Sequence, residues 1–270
     1  MSMIRQPAVA GMFYSADANT LKQDIQHYLE LVEPFQSDDM DDVSTNNLKV
    51  IVVPHAGYVY SGPIAASAYK LLIPLKHQIN RVVLLGPSHQ VAFNGMAVPE
   101  VEMFNTPLGN IPIDQVNIQL LSELPQVMVS DIAHRDEHSL EVQLPFLQET
   151  LDNFTLTPIV VGDVEPNEVA EVINRLWGDE HTLIVISTDL SHYHHYTIAN
   201  QMDRATSNAI VDLKPDLISY ESACGRNGLK GMMVVAKQKK LVADVIDLRN
   251  SGDTWGGKNR VVGYGAYAFH

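Results

Sequence analysis

The chain has a single cysteine, Cys224, two tryptophans, and 18 lysines plus arginines against 32 acidic residues. One thiol cannot close an internal disulfide, so no oxidised framework holds the fold, which suits a reducing compartment. A formal net charge of −14 argues against a nucleic-acid partner, because phosphate binding needs a basic surface. No apolar run approaches the length of a membrane span, and the opening MSMIRQPAVAGMF lacks the long apolar core of a signal peptide. The expectation is a cytoplasmic chain with no membrane contact. Internal repeats, low-complexity tracts and Pro/Gly/Ser linkers are missing too, which points to one domain over residues 1–270.

What is present is an ordinary globular composition, 46% apolar and 19% charged. Part of the acidic excess is local: SDDMDD at 37–42 reads as a solvated loop. Residues 17–34 have a helically spaced apolar face in Leu21, Ile25, Tyr28 and Leu29, with Asp17 or Asn19 as cap. The run 48–53 reads as a strand stopped by Pro54, and 62–75 as a helix entered through Gly62-Pro63. A strand at 81–85 precedes a Gly/Pro-scattered stretch, 91–113, that reads as a hairpin or long loop. Helices are expected over 114–124 and 137–151, the second delayed or kinked by Pro145. LTPIVVGD and TLIVIS read as further strands separated by an amphipathic helix. From 197 to 237 the chain reads as helices interrupted by Pro215 and by ACGRNGLKG. VADVIDLRNSG and RVVGYGAYAFH read as an antiparallel pair at a sheet edge. The early strands are continuously apolar, the pattern of strands buried on both faces. The predicted architecture is therefore an α/β/α sandwich with a mixed, largely parallel central sheet.

The strand ends repeat one theme. His55 lies just past the first strand, His89 past the second, Asp163 past the third, and Asp189 and His192 past the fourth. Parallel strands deliver their carboxyl ends to one rim, where α/β folds collect ligands and catalytic groups. A single histidine there is ordinarily structural, but three such strand ends point together to a shared site. Two imidazoles and an anionic group suit a metal ion, and a further histidine suits proton transfer near neutral pH. Asp189, three residues before His192, is spaced to orient that ring. In AHRDEHSLE, His134 and His138 are four apart, as are Glu137 and Glu141. If helical, each pair shares a face and forms a site wall around substrate; a polar helix start is the alternative. His194 and His195 read as residues of the following loop.

PHAGYVYSG at 54–62, LLGPSH at 84–89, DEHSLEVQLPF at 136–146, STDLSHY at 187–193 and ACGRNG at 223–228 resemble the ordered signature stretches of the Memo family. The resemblance extends from the AGMFY start to the GYGAY end and includes the proteins grouped as AmmeMemoRadiSam system protein B. It implies a fold similar to class III extradiol dioxygenases and a metal site of His55, His89 and Cys224. It also implies His192 as catalytic acid/base, with Asp189 and His138 in the same pocket. The implied cofactor is a metal ion, Fe(II) first, with Cu or Zn as the other candidates. A small-molecule substrate, a radical-SAM protein and the third member of that system are the implied partners. A thiolate in place of the usual carboxylate of oxygen-activating iron departs from the dioxygenase pattern. Three readings follow: a metal-dependent redox enzyme, a non-catalytic module binding a peptide or phosphorylated ligand, and hydrolysis by Cys224 or a metal-bound water.

Overall fold

A computed structural model describes residues 3–32 and 47–270; the acidic stretch 37–42 lies outside them. β1 (Ile4–Arg5) leads to α1 (Ala18–Leu31), whose first turn is capped by the Asp17 carboxylate accepting the Thr20 N–H. Then come β2 (Val50–Val53), α2 (Tyr58–Tyr69), β3 (Arg81–Pro87), β4 (Met96–Val98), β5 (Met103–Thr106), β6 (Gly109–Pro112), α3 (Gln115–Ser122), β7 (Val127–Val129), α4 (Asp131–Arg135) and α5 (Leu144–Thr150). β8 (Thr155–Val161), α6 (Pro166–Arg175), β9 (Thr182–Ser187), β10 (His192–His194), α7 (Tyr196–Val211), α8 (Arg226–Lys239), β11 (Ala243–Asn250) and β12 (Val261–Phe269) complete it.

The main sheet is hydrogen-bonded in the order β12-β2-β9-β3-β8-β4-β7, and both β11 and β10 pair with β12. Its centre, β2-β9-β3-β8, is parallel throughout. β12 is antiparallel to β2, and β4 to β8. Every residue of β2 and β9 is buried, which is why these segments read as unbroken apolar runs rather than alternations. Each fully buried Val or Ile there contributes about 1.5–3 kcal/mol relative to exposure. α1, α2 and α5 pack together over β2 and β12; α6 and α8 pack together by β3 and β9, with α7 on β11 and β12. The result is the expected mixed, largely parallel sheet flanked by helices. Among the described residues no helix is long and apolar enough to cross a membrane.

Four local expectations are corrected. The helix expected at 62–75 starts at Tyr58, behind Gly57, and Lys70–Leu75 is a 3-10 turn, so Pro63 lies inside the helix. Residues 91–113 hold three strands: β4 joins the main sheet, and the β5–β6 hairpin forms a second sheet with β1. ACGRNGLKG does not simply interrupt helices, since α8 begins within it at Arg226. The stretch 137–151 is not one helix; a 3-10 turn over Glu141–Gln143 precedes α5.

Candidate metal centre

The parallel order β2-β9-β3 brings three neighbouring carboxyl ends to one rim, carrying His55, Ser187 to Asp189, and His89. His55 and His89 are separated by β9, and neighbouring strands lie about 4.8 Å apart. Their rings meet by leaning over its end, with centroids 5.2 Å apart. His138 enters from the loop between α4 and the 3-10 turn. It stacks on His89 at 4.5 Å and meets His55 edge-on at 5.6 Å. One ligand atom from each of His55, His89 and His138 lies within 4.8 Å of the others. Metal–imidazole bonds of about 2.0–2.1 Å are within reach of such a group after small ring rotations. This group can hold a metal ion.

The hydrogen bonds of the rings set which nitrogens face that centre. Ser187 Oγ gives its only proton to the Ser139 carbonyl at 2.6 Å, while Gln143 Nε2 donates to it at 2.9 Å. His55 Nδ1, also 2.9 Å from this oxygen, must therefore be the donor, which leaves Nε2 with its lone pair free. His89 Nδ1 sits 2.9 Å from Glu137 Oε1 and donates to the carboxylate, again freeing Nε2. A carboxylate behind an imidazole is the usual support of a metal-binding histidine. Burial would raise the Glu137 carboxyl. The hydrogen bond and charge of His89, with the N–H groups of His89 and Ser139, instead bring it down to about 2. Burial, then the neighbouring His89, His138 and His192, holds His55 well below the usual imidazole range. Burial also lowers His138, against the pull of Glu137. Neutral imidazoles are what a metal requires.

Cys224 Sγ stands 3.2 Å from His55 Nε2 and accepts the Asp189 N–H at 3.3 Å. Its place depends on Gly225, where a Cβ would come within 2.7 Å of the Ser187 carbonyl; glycine lets this turn press onto the end of β9. Burial and the Asp189 carboxylate push the thiol up to about 12. The Asp189 carboxyl is itself raised to about 7 by burial, against the His55 N–H that its Oδ1 accepts at 2.7 Å. Asp189 thus holds the backbone of His55, not the ring of His192 as its spacing suggested. His192 is half-buried on β10, and burial lowers it. A cavity of about 620 Å³ runs from Cys224 past Ser88, Phe93, Asp163 and Arg226. Asp163, noted at the third strand end, belongs to this wall rather than to the histidine group.

AHRDEHSLE does not form the shared faces that a continuous helix would give. The Arg5 guanidinium takes the His134 and Glu137 carbonyls and the Glu141 carboxylate, and α4 stops at Arg135. The two pairs therefore separate. His138 and Glu137 turn to the centre. His134 turns away, its Nε2 on the Ala97 carbonyl at 3.0 Å and its ring edge-on to Phe104. Glu141 is buried under the N-terminal segment, where it accepts from Arg5, Ala8, Val9 and Tyr14. His195 serves as N-cap of α7. The sequence reading gave no role to Ser187 or Gln143, although Ser187 lay inside STDLSHY; a hydroxyl's partners cannot be read from spacing.

A family model described as Memo-like protein matches residues 5–268. A MEMO1 family protein of Aquifex aeolicus is 36% identical over 97% of both chains, and one of Ignicoccus hospitalis is 35% identical over 99% of both. The crystal structure of an uncharacterized Escherichia coli K12 protein shares the fold at 14% identity, with a TM-score of 0.51 over 81% of this chain and 99% of that one. With the site's residues in hand and the match running almost end to end, the chain belongs to the Memo family.

Proposed function

We propose that this protein is a metal-dependent redox enzyme acting on a small molecule. His55, His89 and His138 would bind the ion through nitrogen, and Cys224 through sulfur beside His55. The observation that carries this reading is the convergence of three imidazoles within 4.8 Å, two of them with Nδ1 committed to a buried acceptor. A mixed nitrogen and sulfur set suits Fe(II), Cu or Zn, and Fe(II) is the ion proposed. Bound there, the ion would supply electron transfer and Lewis acidity to a substrate in the adjoining cavity.

The chain's own residues do the remaining work. Glu137 and Ser187 orient His89 and His55. The thiol of Cys224, which burial keeps protonated, would release its proton to solvent on ligation, because the neighbouring His55 Nε2, 3.2 Å away, would itself be committed to the ion. His192, neutral at physiological pH because burial lowers it, would accept a proton from bound substrate and return it to product. Asp189 fixes the His55 main chain, and Phe13, whose ring lies 4.8 Å from that of His138, shields the group from one side. A radical-SAM protein and a third component are proposed as partners in turnover on the strength of the family resemblance.

Protein purified without chelator, and its His55→Ala/His89→Ala variant, test the reading. One ion per chain in the former, its loss in the variant, and oxygen or substrate consumption only by the loaded form are expected. Equal metal content would remove the site. Saturable ligand binding by loaded protein with no consumption of oxygen or substrate would replace the enzyme with a binding module.

A further inference from the structure

The cavity that reaches Cys224 is lined by charges of both signs. It lies at the carboxyl ends of β3 and β8 and is bordered by the start of α8. Asp163 lines it from just past β8, and Arg226 from the first position of α8. The backbone of Asp163 is pinned: its N–H donates to the Phe93 carbonyl at 2.9 Å, and its carbonyl accepts the Gly95 N–H at 2.7 Å. Gly162 permits this close approach, since a Cβ there would come within 2.3 Å of the Phe93 carbonyl oxygen. The Gly162 carbonyl in turn accepts from Asn227 Nδ2 at 2.8 Å, which ties α8 to the same strand end.

Asp163 follows Gly162 and Arg226 precedes Asn227, so both charges stand one residue from that hydrogen bond. They do not pair with each other, and among the described residues neither enters any ion pair. This holds although the chain has 32 acidic residues for 18 basic ones. The Arg226 guanidinium instead lies over the Tyr220 ring, 4.6 Å from its centroid, a stacking that leaves the N–H groups at its edge free to donate. α8 begins beside it without a side-chain cap, so the field of the helix start has the same sign as Arg226. Val91 and Phe93, both half-buried, add apolar lining. A volume of about 620 Å³ suits a small molecule.

We propose that this cavity takes a small zwitterion, with its ammonium group at Asp163, its carboxylate at Arg226 and its apolar body against Val91 and Phe93. Arg226 offers the carboxylate a planar fork of donors, and Asp163 accepts from the ammonium. Each charge of such a ligand supplies the partner that the protein withholds; a ligand with one charge satisfies one wall only. That this ligand is the substrate, brought toward the ion past Cys224, rests on the function proposed above; the charge pattern of the cavity does not.

NMR titration of the isotope-labelled full chain with ω-amino acids, from glycine to 6-aminohexanoate, tests this, because the series scans the spacing between the two charges. Each member is compared with the amine and the acid that lack one of its charges. At least one amino acid should bind about fivefold more tightly than both of its analogues, the ceiling for one added exposed ion pair. Asp163→Asn should abolish that advantage, weakening the amine and sparing the acid. Arg226→Gln should do the reverse, weakening the acid and sparing the amine. A series in which no amino acid outbinds both analogues overturns the zwitterion. Either variant weakening amine and acid alike overturns the assignment of the two charges, since a distorted cavity gives that result. The titrations are run on metal-free protein and, anaerobically, on Fe(II)-loaded protein. Crossed losses in metal-free protein that takes up no ion would keep the zwitterion site and remove the metal centre; a loaded protein with no preference for amino acids would do the opposite.

Discussion

Glu137 Oε1 stands 2.9 Å from His89 Nδ1 and 3.5 Å from His138 Nδ1, so one buried carboxylate faces two rings of the candidate metal centre. The same carboxylate accepts the backbone N–H groups of His89 and Ser139, which holds it ionised and still. Its position decides where both rings point before any ion arrives.

Replacing Glu137 with Gln should therefore act on metal affinity more than on folding. The amide keeps the shape but offers one acceptor oxygen and no charge, and loss of such support lowers affinity about 10–100-fold. Competition with a chelator of known affinity measures this. Unchanged affinity would show that the carboxylate does not orient the rings.

Ser187→Ala removes the shared partner of His55 Nδ1, Gln143 Nε2 and the Ser139 carbonyl at once. Each buried group left unpaired costs about 1–3 kcal/mol, so denaturant unfolding should show a loss of at least that size. His55 would also lose the bond that selects its tautomer, and metal affinity should fall with stability. A variant as stable as wild type would mean that the pocket rearranges to pair these groups elsewhere.

His134 gives a pH signature separate from the metal centre. Burial lowers it from 6.5 to about 3 in the folded protein. Between those values the unfolded chain binds a proton that the folded chain does not. Stability from this residue is thus fully present above pH 6.5 and falls as pH drops toward 3, by about 1.4 kcal/mol per pH unit once well below 6.5. Chemical denaturation from pH 7 to 4 should show a shallower decline in His134→Phe than in wild type. Equal slopes would mean that His134 is charged in the native state.

The Arg5–Glu141 pair, 2.8 Å apart and almost fully buried, clamps the N-terminal segment that carries Phe13 over His138. Glu141→Ala leaves the guanidinium without its carboxylate and strips acceptors from Ala8, Val9 and Tyr14. A loss of about 3–5 kcal/mol is expected from breaking such a buried pair, read by urea unfolding. Protease cleavage should appear first near residues 5–14. A loss below about 1 kcal/mol would contradict the clamp.

The sheet and its rim were legible because buried parallel strands leave a signature in composition: Val50–Val53 and Thr182–Ser187 are apolar almost throughout, and residues past them gather in space whatever the connecting helices do. That reasoning led to His55 and His89; Cys224, named by resemblance, lies beside His55 but outside the group of three imidazoles, whose third member is His138. What the sequence hid were outcomes of single long-range hydrogen bonds. Arg5 ends α4, and so sends His134 and His138 to different places although their spacing fits one helical face. Asp189 serves the His55 main chain rather than His192, three residues away, because the β2–β9 register sets its neighbours.

X-ray absorption at the iron edge, on protein loaded anaerobically with Fe(II) and on its Cys224→Ser variant, tests the metal centre most directly. One ion per chain is expected, in a nitrogen-containing shell with one sulfur at about 2.3 Å, the thiolate distance in zinc sites, and that sulfur should vanish in the variant. Failure to hold an ion, or the same sulfur-free shell in both proteins, would contradict it.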